Sequence, residues 1–303
     1  MTAGIPLKKL KDGRSLPVLG LGTWLMGGDA HRSDSPQDGK DISAIQKAVD
    51  LGYTHIDTAE IYGDGHTEEL VGEALGHLPR EKVFLASKVR QGNHTREKLA
   101  HALDQSLKRL KTDYLDLYYL HRATPETPLD ETAEALNKAF EQGKIRNVGV
   151  CNFSATRLDQ LQAHLKTKIL ANQVHYNLAF REPQQSGLLN HAQEKDYFIV
   201  AWRPIRLVKR NAETPHVTHN IWDKGAFPIL DKLAEKYHKT NVQIALAWLI
   251  HQPFVTTLLK SSQPKNLAEA IGGLDFVLSP EDFDMLSSSF QPQYPVSDTI
   301  GLE

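Results

Sequence analysis

Four side chains with complementary acid–base chemistry accompany three consecutive strand-like runs of the chain. Asp57 and Tyr62 belong with the run YTHIDTA, and Lys88 follows VFLAS. The fourth, His121, follows YLDLYYL. A carboxylate, a phenol, an amine and an imidazole can together protonate an oxygen without a metal. If the three runs are neighbouring strands of one parallel barrel, the four groups converge on one mouth and form an active site.

Each of the four side chains has a distinct expected role. Tyr62 donates a proton to an oxygen, but a free phenol has a pKa near ~10 and gives up its proton poorly. A nearby Lys88 ammonium favours the phenolate and lowers that pKa, and Asp57 holds the ammonium in place. As a neutral imidazole, His121 hydrogen-bonds the same substrate oxygen. Taken singly, the four also fit a helix cap, a rim tyrosine, a solvated lysine and a structural histidine; their joint placement favours catalysis.

The elements that position these residues alternate between short apolar runs and longer amphipathic ones. A hairpin around Asp12 and Gly13 comes first, because Asp-Gly supplies the positive φ angles of a tight turn. Eight strands are predicted after it: 18–23, 55–58, 83–87, 114–120, 148–152, 170–174, 198–202 and 257–259. This alternation predicts a single-domain α/β fold over residues 1–303, a (β/α)8 TIM barrel with the hairpin at its bottom. A doubly wound sheet is the rival arrangement.

Helices are predicted between the strands from apolar positions that recur at helical spacing. They cover 42–51, 67–75, 96–110, 132–142, 154–165, 242–250 and 264–271. Gly143 is expected to end one of these helices and Ser154 to cap another. Two long polar connections, 26–41 and 206–227, are expected on the face of the barrel that carries the active site.

Composition excludes several classes of function. The chain has 303 residues, of which 40% are hydrophobic and 24% charged, and its net charge is −2. Such a balance attracts neither nucleic acid nor an anionic membrane surface. Cys151 is the only cysteine, so an intrachain disulfide is excluded. The first residues lack the apolar stretch of a secretory signal, and no apolar run approaches the ~20 residues of a membrane span. Together these features predict a cytoplasmic protein.

Four sequence segments, distributed along most of the chain, resemble the aldo-keto reductase family. They are GLGTW at 20–24, DTAEIYG at 57–63, GKIRNVGVCNF at 143–153 and LLKSS at 258–262. The resemblance implies a (β/α)8 barrel that transfers hydride from a nicotinamide cofactor to an aldehyde or ketone. It also assigns the family's catalytic tetrad to Asp57, Tyr62, Lys88 and His121, with Tyr62 as general acid. The assignment agrees with the one reached from the residues themselves.

No GxGxxG opens a helix after a strand, so a Rossmann-type cofactor site is not expected. The amides of Asn152 and Gln173, at the ends of the fifth and sixth strands, can pair with a carboxamide. Trp202 can stack on a nicotinamide ring. The resemblance implies a cofactor site built from these positions and others: Gly22, Thr23, Asp57, Asn152, Gln173, Trp202, Lys260, Ser261 and Lys265.

The charge and hydroxyl of Lys260 and Ser261 suit a 2′-phosphate, which favours NADPH, with NADH as the alternative. The chain departs from the family at several of these positions. The family's usual arginine and asparagine are replaced by Asn266 and Ala270, and Lys265 is expected to supply part of the missing charge. The family's usual tyrosine is Trp202, which keeps the stacking function. Cys151 replaces a serine and is interpreted as a packed thiol, with a redox switch as the alternative.

The expected substrate contacts are Trp24, Tyr62 and His121. Arg122 directly follows His121 and has two interpretations, an anion-binding residue or a member of a structural ion pair. Family members with tight selectivity for large substrates often have a longer C-terminal loop, so with a short tail after Phe290 the resemblance implies an open pocket with broad carbonyl acceptance. Farther along, Arg206 and Lys209 either hold the cofactor pyrophosphate or lie in a solvated loop. His216 and His219 are three residues apart but lack a third ligand at suitable spacing, so no metal site is predicted.

The leading functional hypothesis is an NAD(P)H-dependent carbonyl reductase. A small-molecule carbonyl compound is its expected partner, and a monomer or weak homo-oligomer its expected state. The second hypothesis is a cofactor-binding sensor or regulatory subunit on the same barrel, resembling potassium-channel β subunits. A metal-dependent hydrolase or isomerase on a barrel is the third.

Overall fold

The computed structural model describes residues 4–28, 37–124, 126–207, 209–210, 218–219, 221, 225, 227–290 and 302. It opens with the predicted hairpin, β1 (Leu7–Lys9) paired antiparallel with β2 (Ser15–Pro17). Gly13 adopts φ +89° in the turn, a conformation that favours glycine. Leu10 and Leu16 are buried against the side chains inside the barrel, so the hairpin closes its lower end.

Eight parallel strands form a closed barrel, which confirms the predicted fold. They are β3 (Leu19–Gly22), β4 (His55–Asp57), β5 (Phe84–Val89), β6 (Leu117–Leu120), β7 (Val148–Cys151), β8 (Ala171–His175), β9 (Phe198–Trp202) and β12 (Val255–Leu259). A two-stranded ladder, β10 (Lys209–Arg210) with β11 (Thr218–His219), lies in the connection between β9 and β12.

Eleven α-helices lie in the described ranges: α1 (Asp38–Asp50), α2 (His66–Leu75), α3 (Arg96–Leu110), α4 (Leu129–Glu141), α5 (Ala155–Gln162), α6 (Glu182–Gln185), α7 (Leu188–Lys195), α8 (Pro228–Tyr237), α9 (Asn241–His251), α10 (Pro264–Ile271) and α11 (Pro280–Ser289). The seven predicted helices are among them: α3 and α10 have the predicted bounds and the other five have shifted ends, while α6, α7, α8 and α11 were not predicted. Ser154 caps α5 as expected by accepting a hydrogen bond from the backbone N of Arg157, and Gly143 follows α4 with φ +70°.

The core has two layers separated by the barrel wall. An outer layer packs the helices against the outward-facing strand residues, and an inner layer fills the barrel with side chains such as Ala86, Leu117 and Phe198. Because side chains alternate along a strand, residues two apart point to the same side. One inner contact requires a glycine: a Cβ at Gly149 would lie 2.5 Å from the Tyr119 ring.

One predicted placement, that of Lys88, differs from the structure. Lys88 lies within β5, one residue before its end, and not after a strand that stops at position 87. Tyr62 begins a short 3-10 turn, Tyr62–Gly65, in which Gly63 and Asp64 have left-handed φ angles. The turn sets the phenol beyond the end of β4 and directs it back towards the barrel.

Parts of the two long connections predicted to line the mouth lie outside the described residues, as does His216. So does the tail beyond 290 except position 302, and only the backbone is described at Lys209 and His219. Among the described helices, none has the length and apolarity needed to cross a membrane.

Candidate active site

The carboxyl ends of the barrel strands surround a cavity of about 990 Å³. Ten of the predicted site residues line it: Gly22, Thr23, Trp24, Asp57, Tyr62, His121, Asn152, Gln173, Trp202 and Lys260. Lys88 is fully buried and, like Ser261 and Lys265, does not line the cavity. The predicted convergence of the four acid–base groups therefore agrees with the geometry of the strand ends.

Lys88 is the centre of a buried polar cluster. Its Nζ donates to Asp57 Oδ1 in a short ion pair and to the carbonyl oxygen of Thr58 at 2.8 Å. The Tyr62 hydroxyl lies 3.5 Å from the same nitrogen. Both charged groups are at most 2% exposed. A buried ammonium of this kind is held charged by its carboxylate and faces the phenol.

Burial and charge act in opposite directions on this cluster. Burial raises the pKa of the Tyr62 phenol, while the Lys88 ammonium lowers it by a smaller amount, so the net direction is upward. The effect of Lys88 on this pKa has the predicted sign, and the larger effect of burial outweighs it. Burial alone lowers the pKa of Lys88, but the carboxylate of Asp57 and the nearby Tyr62 raise it, with a net increase. Lys88 is therefore a cation at neutral pH.

The imidazole of His121 contacts the edge of the Tyr62 ring. Their ring centroids are 5.7 Å apart and the planes are inclined by 79°. Burial, followed by the positive charge of Lys88 and then Arg122, lowers the pKa of His121 well below its usual range. The ring is consequently neutral at pH 7, as expected, and can donate a hydrogen bond to an oxygen that also meets Tyr62.

Two amides extend the cluster across the cavity. Gln173 Nε2 donates to Asp57 Oδ2 at 2.8 Å, so the carboxylate is bound to Lys88 on one oxygen and to Gln173 on the other. Asn152 Oδ1 accepts from the indole Nε1 of Trp202 at 3.3 Å. The Gln173 oxygen and the Asn152 amide nitrogen provide one acceptor and one donor, which is what a carboxamide needs.

Trp202 is held in a stack of rings at the end of β9. It lies against His175 with centroids 4.3 Å apart, and Phe180 stacks on the other face of His175 at 4.0 Å. The indole is thus supported from behind while it lines the cavity. A supported indole offers a planar apolar surface on which a nicotinamide ring can stack. This donor set and surface fit the cofactor that the sequence implied.

The predicted phosphate residues follow β12. Lys260 and Lys265 are exposed, whereas Ser261 is buried and its Oγ accepts from the Gln263 backbone at 3.1 Å. Asn266, at the position where the family has arginine, also donates to Ser261 Oγ, at 3.3 Å. Ala270 is fully buried in the outer core, so the residue that replaces the family's asparagine faces packing and not the cavity.

The remaining residues that the sequence singled out are placed as follows by burial and by the cavity wall. Cys151 is 2% exposed and burial raises the pKa of its thiol, which supports the packed interpretation over a redox switch. Thr23, fully buried, donates through Oγ1 to the Asp57 carbonyl at 3.0 Å and so holds β3 to β4. Trp24 is 45% exposed and forms part of the cavity wall, and Arg206 lines the cavity as well.

Sequence reasoning missed several residues of the wall, among them Arg90 and Arg203. Arg203 packs its guanidinium 5.1 Å from the Trp202 ring and 5.6 Å from the Trp24 ring, joining two sides of the mouth. Both arginines lie one or two residues beyond a predicted site residue in sequence, which was the available signal. Among the residues that the structure describes, no group of three or more His, Cys, Asp and Glu side chains is arranged to hold a metal.

Comparison with known proteins identifies the family. The family model described as Aldo/keto reductase family matches residues 18–290. Methylglyoxal reductase YeaE of Escherichia coli is 35% identical over 277 residues, covering 91% of this chain and 92% of that protein. A solved thermostable aldo-keto reductase, in complex with the inhibitor epalrestat, has 36% identity and a TM-score of 0.86, with 94% and 99% of the two chains covered.

Two related structures carry a cofactor. An aldo-keto reductase from Klebsiella pneumoniae in complex with NADPH is 32% identical, with a TM-score of 0.80 over 97% of this chain and 98% of that one. Another structure from the same organism contains NADP and acetate, at 31% identity and a TM-score of 0.80 over 99% of both chains. On the family match and these relatives, the chain belongs to the aldo/keto reductase family.

Proposed function

We propose that this protein reduces aldehydes or ketones to alcohols with NADPH, and that Tyr62 supplies the proton. One observation carries the proposal: Lys88, paired with Asp57 and buried, has its Nζ 3.5 Å from the Tyr62 hydroxyl, and both Asp57 and Tyr62 line a large cavity. The names of the relatives support the reaction class, since one is a methylglyoxal reductase and others were solved with NADP or NADPH.

Each residue of the acid–base cluster has a separate role in the proposed reaction. When bound, the nicotinamide cofactor supplies a hydride to the carbonyl carbon. Tyr62 donates its proton to the carbonyl oxygen as negative charge develops there, and the Lys88 ammonium stabilises the phenolate that remains. Asp57 is a positioning residue that keeps Lys88 charged and directed. His121, as a neutral donor, orients the carbonyl oxygen towards Tyr62.

The proposed cofactor site follows the predicted residues. Asn152 and Gln173 hold the carboxamide and Trp202 stacks on the ring, while Gly22, Thr23 and Asp57 bound the nearby cavity. Lys260, Ser261 and Lys265 bind the 2′-phosphate, for which a charged ammonium and a hydroxyl are suitable partners. Asn266 offers no charge at the arginine position, so some use of NADH remains part of the proposal.

The experiment that tests the reaction class follows NADPH oxidation with a panel of aldehydes that includes methylglyoxal. Tyr62→Phe removes the proton donor and keeps the ring, so it is expected to abolish turnover while NADPH still quenches tryptophan fluorescence. Turnover that persists in this variant would exclude Tyr62 as the acid.

If the protein were a sensor without turnover, it would bind NADPH tightly and oxidise none of it with any aldehyde, but none of the relatives named above suggests this function.

We further propose one domain over residues 1–303, a monomer or weak homo-oligomer, and a cytoplasmic location. Gel filtration with light scattering tests the oligomeric state.

A further inference from the structure

The mouth of the cavity is strongly positive. Five cationic side chains line it: Arg90, Arg122, Arg203, Arg206 and Lys260. Asp57 is the one acidic residue among the described parts of the wall, and its two oxygens already bind Lys88 and Gln173. The wall therefore carries an excess of positive charge that draws anions into the cavity.

These cations fall into two groups on different sides of the barrel. Arg203, Arg206 and Lys260 follow β9 and β12, the side that holds Trp202 and the proposed phosphate residues. Arg90 directly follows β5, and Arg122 lies two residues beyond β6. In the closed order β12-β3-β4-β5-β6-β7-β8-β9, strands β5 and β6 lie away from the phosphate side. If Arg203, Arg206 and Lys260 neutralise the phosphates of the cofactor, the cofactor leaves no anion to neutralise Arg90 and Arg122.

The surroundings of Arg122 decide between its two interpretations, an anion-binding residue or a member of a structural ion pair. No described residue forms an ion pair or hydrogen bond with the side chain of Arg122, a half-buried residue that follows His121 and lines the cavity. A structural ion pair with a described residue is therefore wrong. Removing a guanidinium from water without a partner is unfavourable, and a carboxylate is the group whose geometry it matches.

Arg90 is also available to a ligand. Its Nη1 is 3.7 Å from Asp64 Oδ1, and the two side chains are 46% and 69% exposed, so the pair is weak. The nearby Glu60 directs Oε1 to the Arg90 backbone N at 2.6 Å and to the Asn93 amide at 3.2 Å, and it does not line the cavity. Both arginines thus line the same cavity as Tyr62 and His121, with little local compensation of their charge.

We infer that Arg90 and Arg122 form an anion subsite, and that the preferred substrates are carbonyl compounds that also carry a carboxylate. The inference rests on the proposed function: the carbonyl oxygen meets Tyr62 and His121 while the carboxylate binds the two guanidinium groups. The carboxylate takes no part in the reaction, which adds one hydride and one proton to the carbonyl.

The test compares aldehydes that differ only in the charged group. Succinic semialdehyde is paired with butanal, and 4-carboxybenzaldehyde with benzaldehyde, each at saturating NADPH. The charged member is expected to have a kcat/KM at least tenfold higher, mostly through KM. Raising the salt from low to high concentration should reduce that ratio, because exposed charges are screened.

The variants assign the preference to the two arginines. Arg90→Gln and Arg122→Gln should each lower the charged-to-neutral ratio about tenfold, the range expected when a charged hydrogen bond is lost. Arg122→Lys should restore part of the ratio because it keeps the charge. Arg96→Gln is the matched control: it removes the same charge from α3, outside the cavity, and should leave the ratio unchanged.

The outcomes separate the two proposals. If neutral aldehydes are reduced but the wild-type ratio is near one, the subsite is refuted and the reductase stands. A high ratio that persists in Arg90→Gln/Arg122→Gln also refutes it, because the selectivity then arises elsewhere. If no aldehyde of either kind is reduced, the proposed function itself fails. Turnover of butanal and benzaldehyde by each variant verifies that its site is folded.

Discussion

Lys88→Met provides the sharpest test of how the acid–base cluster works. The ammonium lies 3.5 Å from the Tyr62 hydroxyl, and at an effective dielectric constant of ~20 it stabilises a full phenolate charge by about 5 kcal/mol. If about half of that charge has formed at the transition state, its loss costs about 2.5 kcal/mol, or roughly 70-fold in kcat. The fall should concern kcat much more than the KM for aldehyde.

Folding must be separated from catalysis in this variant. Methionine keeps the length of lysine but leaves Asp57 buried beside Gln173 without its cation, and breaking such a pair costs about 3–5 kcal/mol. A natural domain has a free energy of unfolding of only about 5–15 kcal/mol, so the loss is measurable by urea denaturation. Asp57→Asn/Lys88→Met removes both charges and should recover much of the stability without recovering kcat.

The assay is steady-state NADPH oxidation in a double-mutant cycle with Tyr62→Phe. If Lys88 acts through the phenol, replacing it in the Tyr62→Phe background should change only slightly any trace rate that a high enzyme concentration makes measurable there. Two results would refute the reasoning: a folded Lys88→Met enzyme within about threefold of wild-type kcat, or an equal loss whether or not Tyr62 is present.

The remaining predictions concern the cofactor, the thiol and the pH dependence of stability. Lys260→Gln should raise the KM for NADPH at least about tenfold and leave the KM for NADH nearly unchanged, which initial rates with each cofactor measure. Cys151 should resist iodoacetamide at pH 8 until urea unfolds the chain, as mass spectrometry can follow. Burial lowers the pKa of His55 to about 4 in the folded protein, against ~6.5 unfolded, so its contribution to stability is present above pH ~6.5 and is lost as the pH falls towards 4. From pH 7 to pH 5 it should reduce the free energy of unfolding by about 2 kcal/mol, and His55→Gln should remove that part of the slope in urea titrations.

The barrel was predictable because its strands are short apolar runs, buried on both faces, in which successive side chains point alternately into and out of the barrel. The same alternation places Asp57 above His55 and Lys88 above Ala86 on the inner face, so the strand residues of the site follow once the strands are assigned. Tyr62 does not follow from this rule. Its position depends on the left-handed turn at Gly63, whose φ angle is set by local contacts and not by periodicity.

The helices that the sequence pattern did not predict show a second limit of prediction from periodicity. Ser279 before Pro280 is a helix-start signal, and its side chain accepts a hydrogen bond from the backbone N of Asp282 at the start of α11. The signal was present but the helix carries few apolar residues, so its periodicity is weak. Contacts between distant parts of the chain had no sequence signal at all, such as the bond from Gln173 to Asp57 across 116 positions.

The hydrogen bond from Gln173 to Asp57 connects the predicted tetrad to the proposed cofactor site. With one oxygen on Lys88 and the other on Gln173, the Asp57 carboxylate joins the proton-donating half of the site to the amide that is proposed to hold the nicotinamide. Because a carboxylate only accepts hydrogen bonds, it fixes the Gln173 amide with its nitrogen inward and its oxygen available to the cofactor. We therefore propose two functions for the charge of Asp57: it keeps Lys88 protonated, and it determines which face of the Gln173 amide a bound nicotinamide ring meets. A site described by its four acid–base residues alone omits the second function, which belongs to cofactor binding and not to proton transfer.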